Sequence, residues 1–368
     1  MGHNLITPEK KVAKSILIIT TNQFGYLTDT NKYCEYLKKT YNITYVCWDY
    51  GLPKIQHNQL RVRYISRSGN KIIRYFKFLK ALNNEIRESE YDLVFIKYFL
   101  GISLIKIFNK KVNYNIDIRT NAIKESRFSR YFYDLILRYE CSLFKKISII
   151  SAGLAKSLRL KNWHELPLGG DRFTINNKSF KDIHLLYVGT LHMRNILECV
   201  RGFHKYLIEG KSSDEVNLRF TIIGDAAGNE LREIKDYISK NRLEGIVKTL
   251  GYVYYDDLYK YFEEANIGVS FIPMTKYFDN QPPTKTYEYL VSGLPVIATK
   301  TKENVKILNE LSGVLIDDNK DSFALGLQTI ISKREAFNSE SIRNMYKDNL
   351  WENIVTDNLK KYIVELVK

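Results

Sequence analysis

The chain has 368 residues, is 45% apolar and carries a net charge of +15. That length and composition fit a globular protein with room for two cores and exclude a disordered or collagen-like chain. The charge is lopsided, with 30 Lys and Arg against 14 Asp and Glu over residues 1–172 but 26 against 27 over residues 173–368, so the first half should meet a polyanionic partner: a membrane surface, a phosphorylated acceptor or a nucleic acid.

At the N-terminus, charged residues precede an apolar run too short for a signal-peptide core, and SILIIT (15–20) reads as a first buried strand. Position 6 is Ile6, where a myristoylation signal carries Ser or Thr. The loop TNQFGYL leads to a helix capped by Asp29 and running to Lys39, then a strand over 43–48. An amphipathic helix over 71–89 precedes a strand over 92–98. A strand over 111–119, a helix over 127–146 and a buried strand over 147–151 follow. Strands alternating with helices predict a parallel sheet with helices on its faces. The glycine-rich turn LPLGGD (166–171) and the polar stretch after it mark a domain boundary at 172/173. The pattern then restarts: strands over 184–189, 218–224 and 246–253 and helices from Asn195 and over 229–241, with DDLYKYFEEA (256–265), NIGVSFI (266–272) and the stretch after them completing a second sheet. A last helix over 350–367 has no strand after it. This reading gives domains 1–172 and 173–349 and a terminal helix 350–368. No stretch of 18 apolar residues occurs, so no spanning helix is expected. Cys34, Cys47, Cys141 and Cys199 lack CxxC spacing and read as reduced, buried thiols of a cytoplasmic protein.

The most informative stretch is NQPPTKTYEYLVSGLPVIAT (280–299). Pro282 and Pro283 suit the start of a helix, where a missing N–H costs little. Thr284 and Lys285 would stand at that helix start, where phosphate oxygens find free N–H groups and a favourable dipole. Glu288, one turn on, can accept from paired hydroxyls such as those of a ribose. The plainer reading of Lys285 and Glu288 is a solvated pair on an ordinary helix.

This stretch resembles the donor motif of retaining glycosyltransferases of the GT-B fold, family 4 type, also called glycosyl transferases group 1. The family carries two glutamates eight positions apart. Glu288 matches the second, while Asn280, beside Asp279, stands at the first. Further resemblance lies in ISIISAGLAKSL with LPLGGD, in YVGTLHMRN (187–195), in FTIIGDAAGNEL and in TLGYV (249–253). The resemblance implies two doubly wound, Rossmann-like domains with a cleft between them and a C-terminal helix crossing back to the first. It implies a donor site holding Gly189, Thr190, Arg194, Asp225, Tyr252, Asn280, Thr284, Lys285 and Glu288. Arg194 and Lys285 would bear the leaving pyrophosphate without a metal or other cofactor. In the first domain Gly25 matches a loop near the transferred sugar. Asp117 and Arg119 match a catalytic pair, two apart on one strand face; the plainer reading is a structural ion pair.

Lys71, Arg74, Lys77 and Lys80 fall at three-residue spacing, with Ile72, Ile73, Phe76 and Leu79 between them, and 126–139 adds arginines and aromatics. Such helices can lie on anionic lipid or meet an acceptor, although a charge run is usually a solvated face. The resulting expectation is a retaining, metal-independent hexosyltransferase in surface-polysaccharide assembly. It would take a nucleotide-sugar donor and a lipid-linked or saccharide acceptor, on the inner face of the cell membrane. A GT-B nucleotide-sugar epimerase is the rival enzyme, with few carboxylates in evidence for acid–base work. A nucleic-acid-binding protein is the rival outside enzymes, and no recognised motif for it is present.

Overall fold

The computed structural model describes residues 13–55, 57–120, 126–209, 216–276 and 278–368. The readings of the N-terminal dozen residues, Ile6 among them, lie outside that set. Two wholly parallel sheets form. The first contains β1 (Ser15–Ile19), β2 (Asn42–Asp49), β3 (Leu60–Ser66), β4 (Leu93–Lys97), β5 (Tyr114–Ile118), β6 (Ile147–Ile149) and β7 (His164–Glu165), in the order β3-β2-β1-β4-β5-β6-β7. Its helices are α1 (Thr28–Leu37), α2 (Lys71–Glu88), α3 (Ile102–Phe108), α4 (Arg127–Ser142) and α5 (Ala152–Ser157). The second sheet contains β8 (Ile183–Val188), β9 (Leu218–Ile223), β10 (Val247–Thr249), β11 (Ile267–Ser270), β12 (Val296–Thr299) and β13 (Gly313–Ile316), in the order β10-β9-β8-β11-β12-β13. With it go α6 (Leu197–Ile208), α7 (Glu230–Lys240), α8 (Tyr259–Glu264), α9 (Thr284–Val291), α10 (Lys302–Ile307), α11 (Lys320–Ser332) and α12 (Ser339–Met345).

Helices on both faces require strands apolar on both faces. Accordingly Ile16, Leu17, Ile18 and Ile19 in β1, and Val296, Ile297 and Ala298 in β12, are all buried. Strand order reverses at β1/β4 and at β8/β11, and the crevice beyond the strand ends at such a point is where ligands bind. Right-handed crossovers put α2 to α5 on one face of the first sheet and α1 on the other.

Four elements of the first domain, β3, α3, α5 and β7, escape the sequence reading, the first two for clear physical reasons. β3 is an edge strand, and Arg61 and Arg63 interrupt its apolar pattern; buried Glu85 of α2 holds them at 3.3 and 2.5 Å. α3 has no local cap. Glu140 of α4 caps it from 37 residues away, accepting from the backbone and hydroxyl of Ser103 at 3.0 and 2.7 Å and from Gly101 N at 3.0 Å. Asp29 is a correction of another kind. The N-cap of α1 is Leu27, with no side-chain cap. Asp29 lies inside the first turn, buried, with Lys97 at 3.5 Å and Arg119 at 3.6 Å. Burial alone would raise its carboxyl; the two cations more than offset that and hold it below its usual range.

The chain crosses between the sheets twice, and the crossings touch: Gly170 N donates to Asn349 O at 2.9 Å and Trp351 N to Gly170 O at 3.2 Å. Beyond them Trp351–Leu366 is helical, with a π-helical stretch at Ile354–Leu359. Its Trp351, Ile354, Tyr362 and Leu366 pack into the first core, and Tyr362 donates to Asn115 of β5 at 2.8 Å. All four cysteines are free and buried. Among the described residues no helix is long and apolar enough to cross a membrane.

Candidate functional site

The candidate site lies at the carboxyl ends of β8, β9, β10 and β11, against the N-terminus of α9. Pro283 is the N-cap of α9 in extended conformation, and the first N–H groups of a helix have no intrahelical acceptor. The opposite side of α9 is bolted to the sheet. Thr286 Oγ1 donates to Ser270 Oγ at 2.7 Å, Tyr289 Oη accepts from Val188 N at 2.9 Å, and Leu290 and Val291 are fully buried. Helical spacing then leaves Lys285 and Glu288 on the side away from that packing.

Lys285 is half-buried, with its ammonium 4.0 Å from the centre of the Tyr187 ring. A side chain at Gly189 would put a Cβ 2.6 Å from Lys285 Nζ, and one at Gly224 would put a Cβ 1.8 Å from Gly189 O. Both glycines have positive φ, 147° and 150°, so only glycine lets the two strand ends and the lysine crowd together. Burial pulls the Lys285 ammonium down to about 7, and the neighbouring Arg194 charge pulls the same way. Arg194 stands over the Phe278 ring at 4.1 Å. Met193 and Asn195 on either side of it both have φ of 55°, a conformation that non-glycine residues adopt at a cost and that clusters at functional sites.

Thr190 and Asp225 meet at the same strand ends. Thr190 O accepts from Tyr187 Oη at 2.7 Å, and Asp225 O accepts from Leu191 N at 3.0 Å. Tyr252 lies on the β10 loop, 64% exposed, edge-on to Tyr254. That loop is tied in by Gly224 N donating to Gly251 O at 2.8 Å.

Glu288 is buried at 7% exposure. Its Oε1 is 3.2 Å from Tyr255 Oη, which donates to Asp171 Oδ2 at 2.5 Å. Burial pushes the Glu288 carboxyl up to about 7, Asp171 adds to that, and Tyr255 and Lys285 pull back. Neither Tyr255 nor Asp171 stood out as a partner of Glu288 in the sequence. Asp171 belongs to the LPLGGD turn and Tyr255 to the YVYYDD run, and nothing local brings positions 171, 255 and 288 together.

The remaining candidates sit elsewhere. Asn280 is at the interface of the domains: its carbonyl accepts from Ser151 Oγ at 2.8 Å, and its Oδ1 lies against Gly153 of α5. The adjacent Asp279 is spent on Lys302, through the backbone N–H at 2.8 Å and the ammonium at 2.9 Å. At Gly25 the space a side chain would need is filled by Ile55, so the close approach there is made by the protein itself. Asp117 and Arg119 do share a strand face, paired at 2.7 Å. Both are buried, with Ser148 Oγ on Asp117 and the Leu166 carbonyl on Arg119, each at 2.7 Å. The pair is thus tied into the first domain at the end of β5 and beside β6. Among the described residues no three His, Cys, Asp or Glu side chains group as a metal site.

Residues 182–333, covering this sheet and its strand ends, match the family model "Glycosyl transferases group 1". Comparison with curated proteins gave no match. Among solved structures, the sucrose-phosphate synthase of Thermosynechococcus elongatus superposes with a TM-score of 0.77 at 15% identity, over 96% of this chain and 99% of that one. HepE of Anabaena, solved with UDP and glucose, gives 0.74 at 12% identity over 96% and 99%. The lipopolysaccharide outer core galactosyltransferase WaaB gives 0.67 at 14% identity over 95% and 99%. The fold is therefore GT-B, and the resemblance to group 1 glycosyltransferases stands.

Proposed function

We propose that this GT-B protein, whose second domain carries the group 1 glycosyltransferase match, moves a hexose from a nucleotide-sugar donor to a lipid-linked or saccharide acceptor, with retention of configuration. The observation that carries the reading is Lys285, at the start of α9, packed on Tyr187 and against Gly189 where Gly224 closes in, with the Arg194 charge beside it, one helical turn from the buried acid Glu288. Charge developing on a leaving pyrophosphate is stabilised by preorganised cations and N–H donors. Lys285 and Arg194 supply the cations, and Glu288 accepts from the ribose hydroxyls. That HepE was solved with UDP and with UDP-glucose supports a uridine diphosphate sugar as the first donor to try. Because the phosphate charge is met by side chains and a helix end, turnover is expected to be unchanged by EDTA. Loss of turnover in EDTA, restored by Mg²⁺ or Mn²⁺, would contradict the metal-free part of the reading.

The first domain supports a lipid-linked acceptor at an anionic membrane. The sequence leaves open whether Ile72, Ile73 and Phe76 pack against the sheet. They do not: they are 69%, 49% and 63% exposed, while Leu79 is buried. Phe108 of α3 and Phe128, Tyr131 and Tyr139 of α4 are equally bare on the same helical layer. An apolar groove of about 450 Å³ runs between α2 and α3, with Lys80 and Arg87 among its lining residues. Exposed apolar ridges with cations alongside suit a headgroup boundary. Each such cation is worth about 1 kcal/mol at an anionic surface, and salt screens it. Replacing Lys71, Arg74, Lys77 and Lys80 together with glutamine should weaken binding to phosphatidylserine liposomes roughly a hundredfold or more at low salt. The loss should shrink at high salt, and hydrolysis of the donor by water should survive. Equal liposome binding by the variant, or none by the wild type, would turn the reading towards a phosphorylated soluble acceptor.

A further inference from the structure

Glu288 does not stand alone in the second domain. Its Oε1 contacts Tyr255 Oη at 3.2 Å, Tyr255 Oη contacts Asp171 Oδ2 at 2.5 Å, and Asp171 Oδ2 contacts Lys32 Nζ at 3.0 Å. Lys32 belongs to α1 of the first domain, Asp171 to the crossing between domains, Tyr255 to the 3₁₀ turn Tyr255–Asp257 that follows β10. The chain of contacts runs where the backbone is closely packed: a Cβ at Gly170 would stand 2.6 Å from Glu288 N, and Gly170 also pairs with the returning chain at Asn349 and Trp351. The charged ends are well covered, with the Lys32 and Asp171 side chains 14% and 19% exposed.

A phenol has one proton to give. At 2.5 Å it goes to Asp171, which Lys32 holds in place from 3.0 Å. The Tyr255 oxygen is then left to accept from the Glu288 carboxyl in its protonated form across 3.2 Å, and its ring is fixed by edge-to-face contact with Phe173 at 5.2 Å. The geometry points to Tyr255 as a positioning residue that orients the Glu288 carboxyl for the donor, held in that role by Lys32 of the other domain through Asp171. Donor capture in the second domain is thereby sensitive to how the first domain sits on the crossing: if α1 moves away, Lys32 leaves Asp171, Tyr255 loses its anchor and Glu288 its orientation. This inference rests on Glu288 as a ligand of the donor.

The test is calorimetric titration of UDP, and donor kinetics, on the full chain. Tyr255→Phe keeps the ring on Phe173 and removes only the hydroxyl. Lys32→Met removes the charge from the first domain, and Lys32→Arg restores it. Each of the first two variants should weaken UDP binding roughly five- to tenfold, the range of one lost hydrogen bond. The loss should appear in the donor KM with kcat retained. Lys32→Arg should recover most of it. Tyr255→Phe combined with Lys32→Met should cost no more than either alone, because residues of one network do not add. Wild-type UDP binding by folded Tyr255→Phe and Lys32→Met, or a double variant whose loss is the product of the two, would overturn the inference. With Glu288→Gln weakened in the same titration, the failure belongs to the relay alone. With Glu288→Gln also binding like wild type, the donor role of Glu288 falls first.

Discussion

Replacing Lys285 with methionine should lower kcat/KM for nucleotide-sugar turnover about a hundred- to a thousandfold, the usual cost of removing one preorganised group from developing charge. Methionine keeps the packing on Tyr187 and removes the cation, so the fold should stand. The group also predicts a pH signature. In the free protein its ammonium titrates at about 7, against 10.5 in an open chain, so at pH 8 most molecules hold it neutral. A pyrophosphate beside it favours the charged form and raises that value again. Donor binding at pH 8 should therefore take up close to one proton, and affinity should fall as pH rises above 7. Calorimetry in buffers of different ionisation enthalpy measures the uptake, and Lys285→Met should abolish it. A wild type that binds donor with no proton uptake at pH 8 would mean the ammonium does not meet the phosphate.

Glu288→Gln should weaken donor binding roughly ten- to a hundredfold, since hydrogen bonds to a charged group contribute about 1.5–3 kcal/mol. The variant should at the same time be more stable than the wild type at neutral and alkaline pH. The carboxyl titrates near 4.5 when unfolded and at about 7 in the folded protein, so the folded state binds the proton more tightly. Its contribution is complete below pH 4.5 and is lost as pH rises through 7. A shift of that size amounts to on the order of 3 kcal/mol, and a glutamine does not titrate. Melting temperatures of the two proteins should thus diverge between pH 5 and 8, with the variant higher at pH 8. A variant that loses donor affinity while gaining stability separates a ligand-binding acid from a structural one. Parallel loss of both would mark Glu288 as structural.

Much of this was legible because its causes are local. Buried parallel strands announce themselves as apolar runs, and α9 is signalled by Pro282 and Pro283 before it and Gly293 after it. What stayed hidden depends on distant partners. Arg61 and Arg63 look foreign to a strand until Glu85 of α2 is seen to hold them. Ile102–Phe108 has no start signal because its cap, Glu140, comes from the next helix. Asp29 has the chemistry of a cap and is used instead as the counter-ion of Lys97 and Arg119. In the candidate site the sequence singled out Lys285, Glu288, Arg194 and Gly189, which a motif brings with it. It could not supply Tyr255 and Asp171, since their meeting with Glu288 is made by tertiary packing, from 33 residues away for Tyr255 and from more than a hundred for Asp171. The exposure of Ile72 and Phe76 was left open by it, because an amphipathic pattern serves a helix packed on a sheet and one lying on lipid alike.

Donor binding at the second domain is decided by titrating UDP and UDP-glucose, in EDTA at pH 7, into the wild-type chain and into Lys285→Met and Glu288→Gln. One nucleotide should bind per wild-type chain, at least tenfold more weakly to each variant, with all three proteins folded by their melting transitions. If neither UDP, GDP, ADP nor their hexose derivatives bind the wild type, or if both variants bind as the wild type does, the strand ends of β8, β9 and β10 with α9 are not a nucleotide-sugar site.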